Sequence, residues 1–135
     1  MVKMNKFAKR LRKQVKHTEN GIVIGRGFGM MAEIVGVFNT VFHFSFGDCV
    51  FRAKNVVPRT NFEDIGILSD ISMILIDLNQ VQHIDKLLPV WTKYHPLVLI
   101  EGNDVIERDL SGVLYTNHYR CVEQQGFYHV WKKMQ

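Results

Sequence analysis

From the amino end, Met4, Phe7, Ala8, Leu11 and Val15 recur at helical spacing, with basic residues on the remaining faces. That spacing predicts an amphipathic helix of about four turns. Thr18-Glu19-Asn20-Gly21 stops it, because Asn and Gly readily take the left-handed conformation that ends helices. The period then changes. Gly21-Ile22-Val23-Ile24 is short and β-branched and reads as a buried strand, broken by Gly25-Arg26-Gly27-Phe28-Gly29. Residues 30–39 suit a helix, with Gly36 costing about 1 kcal/mol there while permitting close packing. A second strand is expected over Val41–Phe46, ended by Gly47-Asp48, and a third over residues 49–57, stopped by Pro58.

Asn61 to Ser69 reads as a link or helical turn. Ile71–Asp77 is the clearest interior strand, apolar on both faces with a carboxylate at its end. Residues 80–94 carry a 3–4 apolar spacing and predict a helix kinked or restarted at Pro89. Pro96–Glu101 repeats the pattern of an apolar strand ending in an acid, and a helical turn is expected through Glu107. Tyr119–Glu123 and Phe127–Trp131 are joined by Gln124-Gln125-Gly126 and predict an antiparallel hairpin. Strands that are apolar throughout and alternate with helices require a mostly parallel sheet covered on both faces. The expected fold is therefore three-layer α/β, with a carboxyl-terminal antiparallel hairpin at one edge and a basic helix at the amino end.

Composition adds scale. A chain of 135 residues, 47% apolar and 22% charged, is one globular domain, too apolar for disorder. Its net charge of +4 is unevenly placed. Residues 1–20 hold seven bases (Lys3, Lys6, Lys9, Arg10, Arg12, Lys13, Lys16) and one acid, a net of +6, and the rest of the chain carries −2. The expected organisation is a basic helix over residues 1–20 and a single domain over 21–135. The basic helix has three readings: a solvated cover on the sheet, a nucleic-acid contact through phosphates, or a membrane-surface helix. No apolar run approaches the roughly 18 residues of a membrane span, and no signal-peptide core follows the charged start, so a cytoplasmic protein is expected. Cys49 and Cys121 are far apart and suit buried thiols in a reducing compartment. The six histidines show no metal-ligand spacing and read as surface or strand-face residues.

Ligands in parallel sheets bind at the carboxyl ends of the strands, near the switch in strand order. That directs attention to Gly25–Gly29, Gly47-Asp48, Asp77-Leu78-Asn79 and Glu101–Asp104. Glycines after a first strand give a tight turn and let a ligand approach the backbone, while the following helix aims free N–H groups at it. Asp48 stands nineteen residues beyond Gly29, a spacing that suits an acceptor for ribose hydroxyls. A Gly-rich turn needed only for strand–helix packing is the structural alternative. Asp77, Asn103 and Asp104 would make an oxygen-ligand cluster for a hard divalent cation if their two loops converge.

This order of parts resembles the class I S-adenosylmethionine-dependent methyltransferases, as a minimal or degenerate member. The resemblance covers roughly residues 20–133 and consists of the GxGxG loop, the acid after the second strand, apolar strands ending in Asp77 and Glu101, and the terminal hairpin. It implies a Rossmann-like fold whose seventh strand is inserted antiparallel beside the sixth, and S-adenosylmethionine as cofactor. By the same resemblance, Gly25, Gly27 and Gly29 would lie under the methionine part of the cofactor and Asp48 would hold its ribose. Asp64 would fall in the loop that contacts adenine, and Asp77 and Asn79 would supply substrate or catalytic groups. The family commonly has an acid two residues before the first glycine, where this chain has Val23, and the span between the second and fourth strands is short. The competing reading is a non-enzymatic α/β module that binds nucleic acid through the basic helix.

Overall fold

The computed structural model describes residues 9–13, 18–24, 35–44, 53–59, 64–65, 68–77, 93–101, 112–125 and 128–134. Seven strands form one sheet: β1 (Asn20–Ile24), β2 (Thr40–Phe44), β3 (Val56–Arg59), β4 (Ile71–Asp77), β5 (Leu97–Glu101), β6 (Tyr119–Gln125) and β7 (Tyr128–Lys133). They lie side by side in the order β3-β2-β1-β4-β5-β7-β6. The pairings among β1 to β5 are all parallel, while β7 is antiparallel to both β5 and β6. β7 is thus the one reversed strand of the sheet.

Alternation along the strands divides the core into two layers. Ile22, Ile24, Phe44, Ile74, Ile76, Val98, Ile100 and Trp131 pack on one face with Ile65, Leu114 and Tyr119. Val23, Val41, Leu75, Leu99 and Val130 pack on the other with Phe38 and Leu11. The central strands bury both faces, as a parallel sheet requires. Leu11, in the helical stretch at residues 9–12, is fully buried, so this stretch of the amino-terminal helix lies on the second layer. Lys9, Arg10 and Lys13 around it are exposed.

At the amino edge of the sheet the strand starts are held together by asparagines. Asn20 Nδ2 donates to the Ser69 carbonyl at 2.9 Å, Asn39 Nδ2 to Asn20 Oδ1 at 3.3 Å, and Asn55 Nδ2 to the Phe38 carbonyl at 3.0 Å. Each of the three begins or immediately precedes a strand. Backbone bonds from Asn20 to Asp70 and from Val41 to Asn55, both 2.8 Å, complete the closure. With this edge tied by side chains, the loops free to shape a site leave from the carboxyl edge.

Three local expectations are revised. In the stretch expected to be helical over residues 30–39, Val35–Val37 is a single 3-10 turn followed by bends at Phe38 and Asn39; residues 30–34 lie outside the described residues. Gly36 is exposed with open space where a Cβ would stand, so it serves no close packing. Gly21 does: a Cβ there would come within 3.1 Å of the Phe38 ring. The third strand is Val56–Arg59 with Pro58 inside it, whereas residues 53–55 are not strand. A proline is tolerated because β3 is the sheet's edge, where one side of the strand needs no partner. Finally, residues 112–116 are helical where no helix was expected, and they place Leu114 in the core.

Candidate functional site

The topology creates one switch point. From β1 the chain steps to β2 and β3 on one side, and β4 then returns to the other side of β1. Connections that depart on opposite sides leave a crevice at the carboxyl ends of β1 and β4. Register defines that edge: Arg59 pairs with Phe44, Phe44 with Ile24, and Ile24 with Ile76. Beyond Ile76, Asp77 pairs with Glu101, Glu101 with Tyr128, and Tyr128 with Gln125.

The expected site residues distribute around this edge. Gly25, Gly27 and Gly29 follow directly on Ile24, at the switch point, and Asp48 follows Phe44 by four residues; these four lie outside the described residues, as does Asn79. Asp77 is the last residue of β4, with its backbone opposite Glu101 on β5. Asp64 lies in a short 3-10 turn beyond β3, half-buried beside fully buried Ile65. The fold therefore brings the β1 and β2 exits and the Asp77 strand end to one edge. Asn103 and Asp104 also lie outside the described residues, and among those described no group of three His, Cys, Asp or Glu is placed to hold a metal ion.

Two residues near this edge were not singled out from the sequence. Arg59 ends β3 with its guanidinium 5.8 Å from the centre of the Phe42 ring, and its Nε is buried without a hydrogen-bond partner among the described residues. Ending the third strand before Pro58 hid it. His43 lies one residue before the end of β2, only 1% exposed, between Val23 and Pro58 in register. The alternation of Val41 and His43 with Phe42 and Phe44 was the available signal. Val23, at the position where the resembled family has an acid, is buried in the layer that also holds Leu11 and Phe38. It is a packing residue here.

Of the histidines, His95 and His118 are exposed, in left-handed conformations at φ 51° and 65°, and His129 is half-buried on β7. Cys121 is a half-buried thiol against the first core layer. No helix among the described residues is long and apolar enough to cross a membrane.

Solved methyltransferases share the overall fold. SMU.1697c from Streptococcus mutans, a candidate methyltransferase solved in complex with SAH, superposes with a TM-score of 0.64 at 15% identity, covering 97% of this chain and 95% of that one. The N-methyltransferase NodS from Bradyrhizobium japonicum gives 0.55 at 10% identity over 98% and 96% of the two chains. The ribosomal protein L11 methylase from Lactobacillus delbrueckii subsp. bulgaricus gives 0.58 at 10% identity over 98% and 79%. No family model matches the sequence, and no curated protein is significantly similar to it. At these identities the likeness defines the fold. It is the Rossmann-like α/β fold of the class I methyltransferases, with a mostly parallel seven-stranded sheet and antiparallel pairing at its carboxyl-terminal strands.

Proposed function

We propose that the chain binds S-adenosylmethionine at the carboxyl edge of β1 and serves as a methyltransferase-like domain. The observation that carries this reading is the coincidence of the glycine-rich segment with the switch point: Gly25 follows the last residue of β1, in a sheet whose reversed β7 separates β5 from β6. A classical dinucleotide-binding sheet instead ends in further parallel units. The SAH complex of a fold neighbour supports the choice of cofactor, since SAH is what remains of S-adenosylmethionine after its methyl group leaves.

In this reading Gly25, Gly27 and Gly29 let the ligand approach the backbone, and the Asp48 carboxylate accepts hydrogen bonds from ribose hydroxyls. Asp64 borders the adenine. The cofactor supplies an electrophilic methyl group. The protein's share is alignment of an acceptor in line with it, so that rate enhancement comes mainly from positioning. Asp77 or Asn79, at the end of β4, orients or deprotonates that acceptor.

Isothermal titration with S-adenosylmethionine and with SAH tests the reading. Binding of both is expected, and Gly27→Arg should abolish it by filling the space the ligand needs. Absence of heat at millimolar ligand, or unimpaired binding by the Gly27→Arg variant, would remove the proposal.

A further inference from the structure

Arg10 forms an ion pair with Glu123 on the edge strand β6, and Leu11 beside it is buried with Val23, Leu99 and Val130. These two contacts fix the amino-terminal helical stretch over the β6–β7 end of the second layer. In register, Glu123 lies opposite Val130, and Arg120 lies opposite Lys132. Lys132 is two residues beyond Val130 and so shares its face. The folded chain thus adds exposed Lys132 to the surface carrying exposed Lys9 and Lys13, with exposed Arg120 on the edge strand beside it. Beside them a cleft of about 450 Å³ is lined by His95, Lys132, Lys133 and Met134.

Arg120 and Lys132 are opposite in register, and the Arg120 guanidinium donates to the Tyr119 carbonyl and lies 5.1 Å from the centre of the half-exposed Tyr115 ring, which packs edge-on against Trp131. An anionic partner here would neutralise both cations. The chemistry of the partner follows from Leu11. A helix that attaches to a lipid surface must offer its apolar face to the acyl chains, and Leu11 is fully buried in the protein's own core. What remains outward is cationic.

We propose that this face, built from the helical stretch at residues 9–12 and the Arg120–Lys132 row, binds the phosphate backbone of a nucleic acid. Lys9, Lys13, Arg120 and Lys132 contact phosphates, and the contact is indifferent to sequence because phosphates carry no base information. It lies toward the Tyr119–Lys133 end of the hairpin, away from the Gln125–Tyr128 end that belongs to the carboxyl edge. Nucleic acid and cofactor therefore bind without competing, and this proposal stands or falls separately from cofactor binding.

Anisotropy of a labelled 20-base-pair DNA duplex and a 20-nucleotide RNA, titrated with the full chain between 50 and 200 mM KCl, provides the test. Binding is expected at 50 mM, and four phosphate contacts on the duplex give a log–log salt slope of about −3.6. The double variant Arg120→Glu/Lys132→Glu should weaken binding at least tenfold and flatten the slope by about 2. Lys132→Gln alone should give a smaller loss in the same direction should the double variant fail to fold. Lys54→Glu, in the exposed turn before β3 at the far edge of the sheet, should leave affinity within about twofold, and saturating SAH should not displace the nucleic acid. The proposal is overturned by absence of binding at 50 mM KCl, by an equal loss from Lys54→Glu, or by tighter binding to phosphatidylserine vesicles than to either nucleic acid.

Discussion

Among the described residues Tyr119 leads the fully buried side chains by size, and its hydroxyl donates to the Pro96 carbonyl at 2.6 Å. That bond ties the first residue of β6 to the entrance of β5, two strands that do not pair because β7 lies between them. Removing the hydroxyl withdraws a donor from a buried carbonyl, so Tyr119→Phe should cost about 1–3 kcal/mol in urea denaturation at neutral pH. Burial also pushes the phenol's ionisation far above its ordinary range. The unfolded chain then releases this proton at roughly pH 10, while the folded chain still holds it. The contribution is complete below that pH and falls as pH rises toward the folded value. Denaturation between pH 8 and 11 should show wild-type stability falling more steeply than that of Tyr119→Phe; parallel curves would sink the assignment. Nothing in the local sequence announces this role, because an aromatic residue at a strand start looks alike whether its hydroxyl meets water or a carbonyl across the sheet.

The amino-terminal helical stretch carries the clearest prediction among the elements. Leu11 is fully buried in the core layer that also holds Val23, Leu75 and Leu99, while Lys13, two residues on, is exposed. Leu11→Ala should lower stability by about 2–5 kcal/mol, through lost burial and the cavity left behind. Lys13→Ala should change it by less than about 0.5 kcal/mol. Equal effects in equilibrium unfolding would mean that the helix does not cover the sheet. β4 matches its sequence reading residue for residue, since the unbroken apolar run Met73–Ile76 supplies both faces of a buried strand. β3 was displaced because its proline, read as a stop, is an edge-strand residue. The helical turn at residues 112–116 was missed for a related reason. Its end is marked by His118 at φ 65° rather than by glycine, and His95 at φ 51° likewise precedes β5. Left-handed residues other than glycine pass unnoticed in a sequence, although Asn, Asp and His are enriched among them.

At the scale of the whole molecule, the return of β4 beside β1 makes the switch point on which the proposed cofactor site rests. A ligand held only by the folded state raises its stability by mass action. SAH at a hundredfold excess over its dissociation constant adds about 2.7 kcal/mol, which for a domain of this length raises Tm by roughly 8 °C. Thermal unfolding with and without SAH should show that rise for the wild type and none for Gly27→Arg; a rise retained in the variant would place the ligand elsewhere.

The sequence by itself determined the periodicities, and with them the strands, the parallel character of the sheet, the terminal hairpin and the glycine segment after β1. These are local: side-chain alternation and β-branching act within a few residues, and a hairpin is closed by its own turn. The antiparallel seventh strand was implied by the family resemblance, but only the tertiary structure decided the strand order across the sheet, the arrival of Asp77 opposite Glu101, and the pairing of Arg120 with Lys132. Those are contacts between segments far apart in the chain. They are selected by which apolar faces bury one another across the whole sheet, and no window of sequence contains that choice.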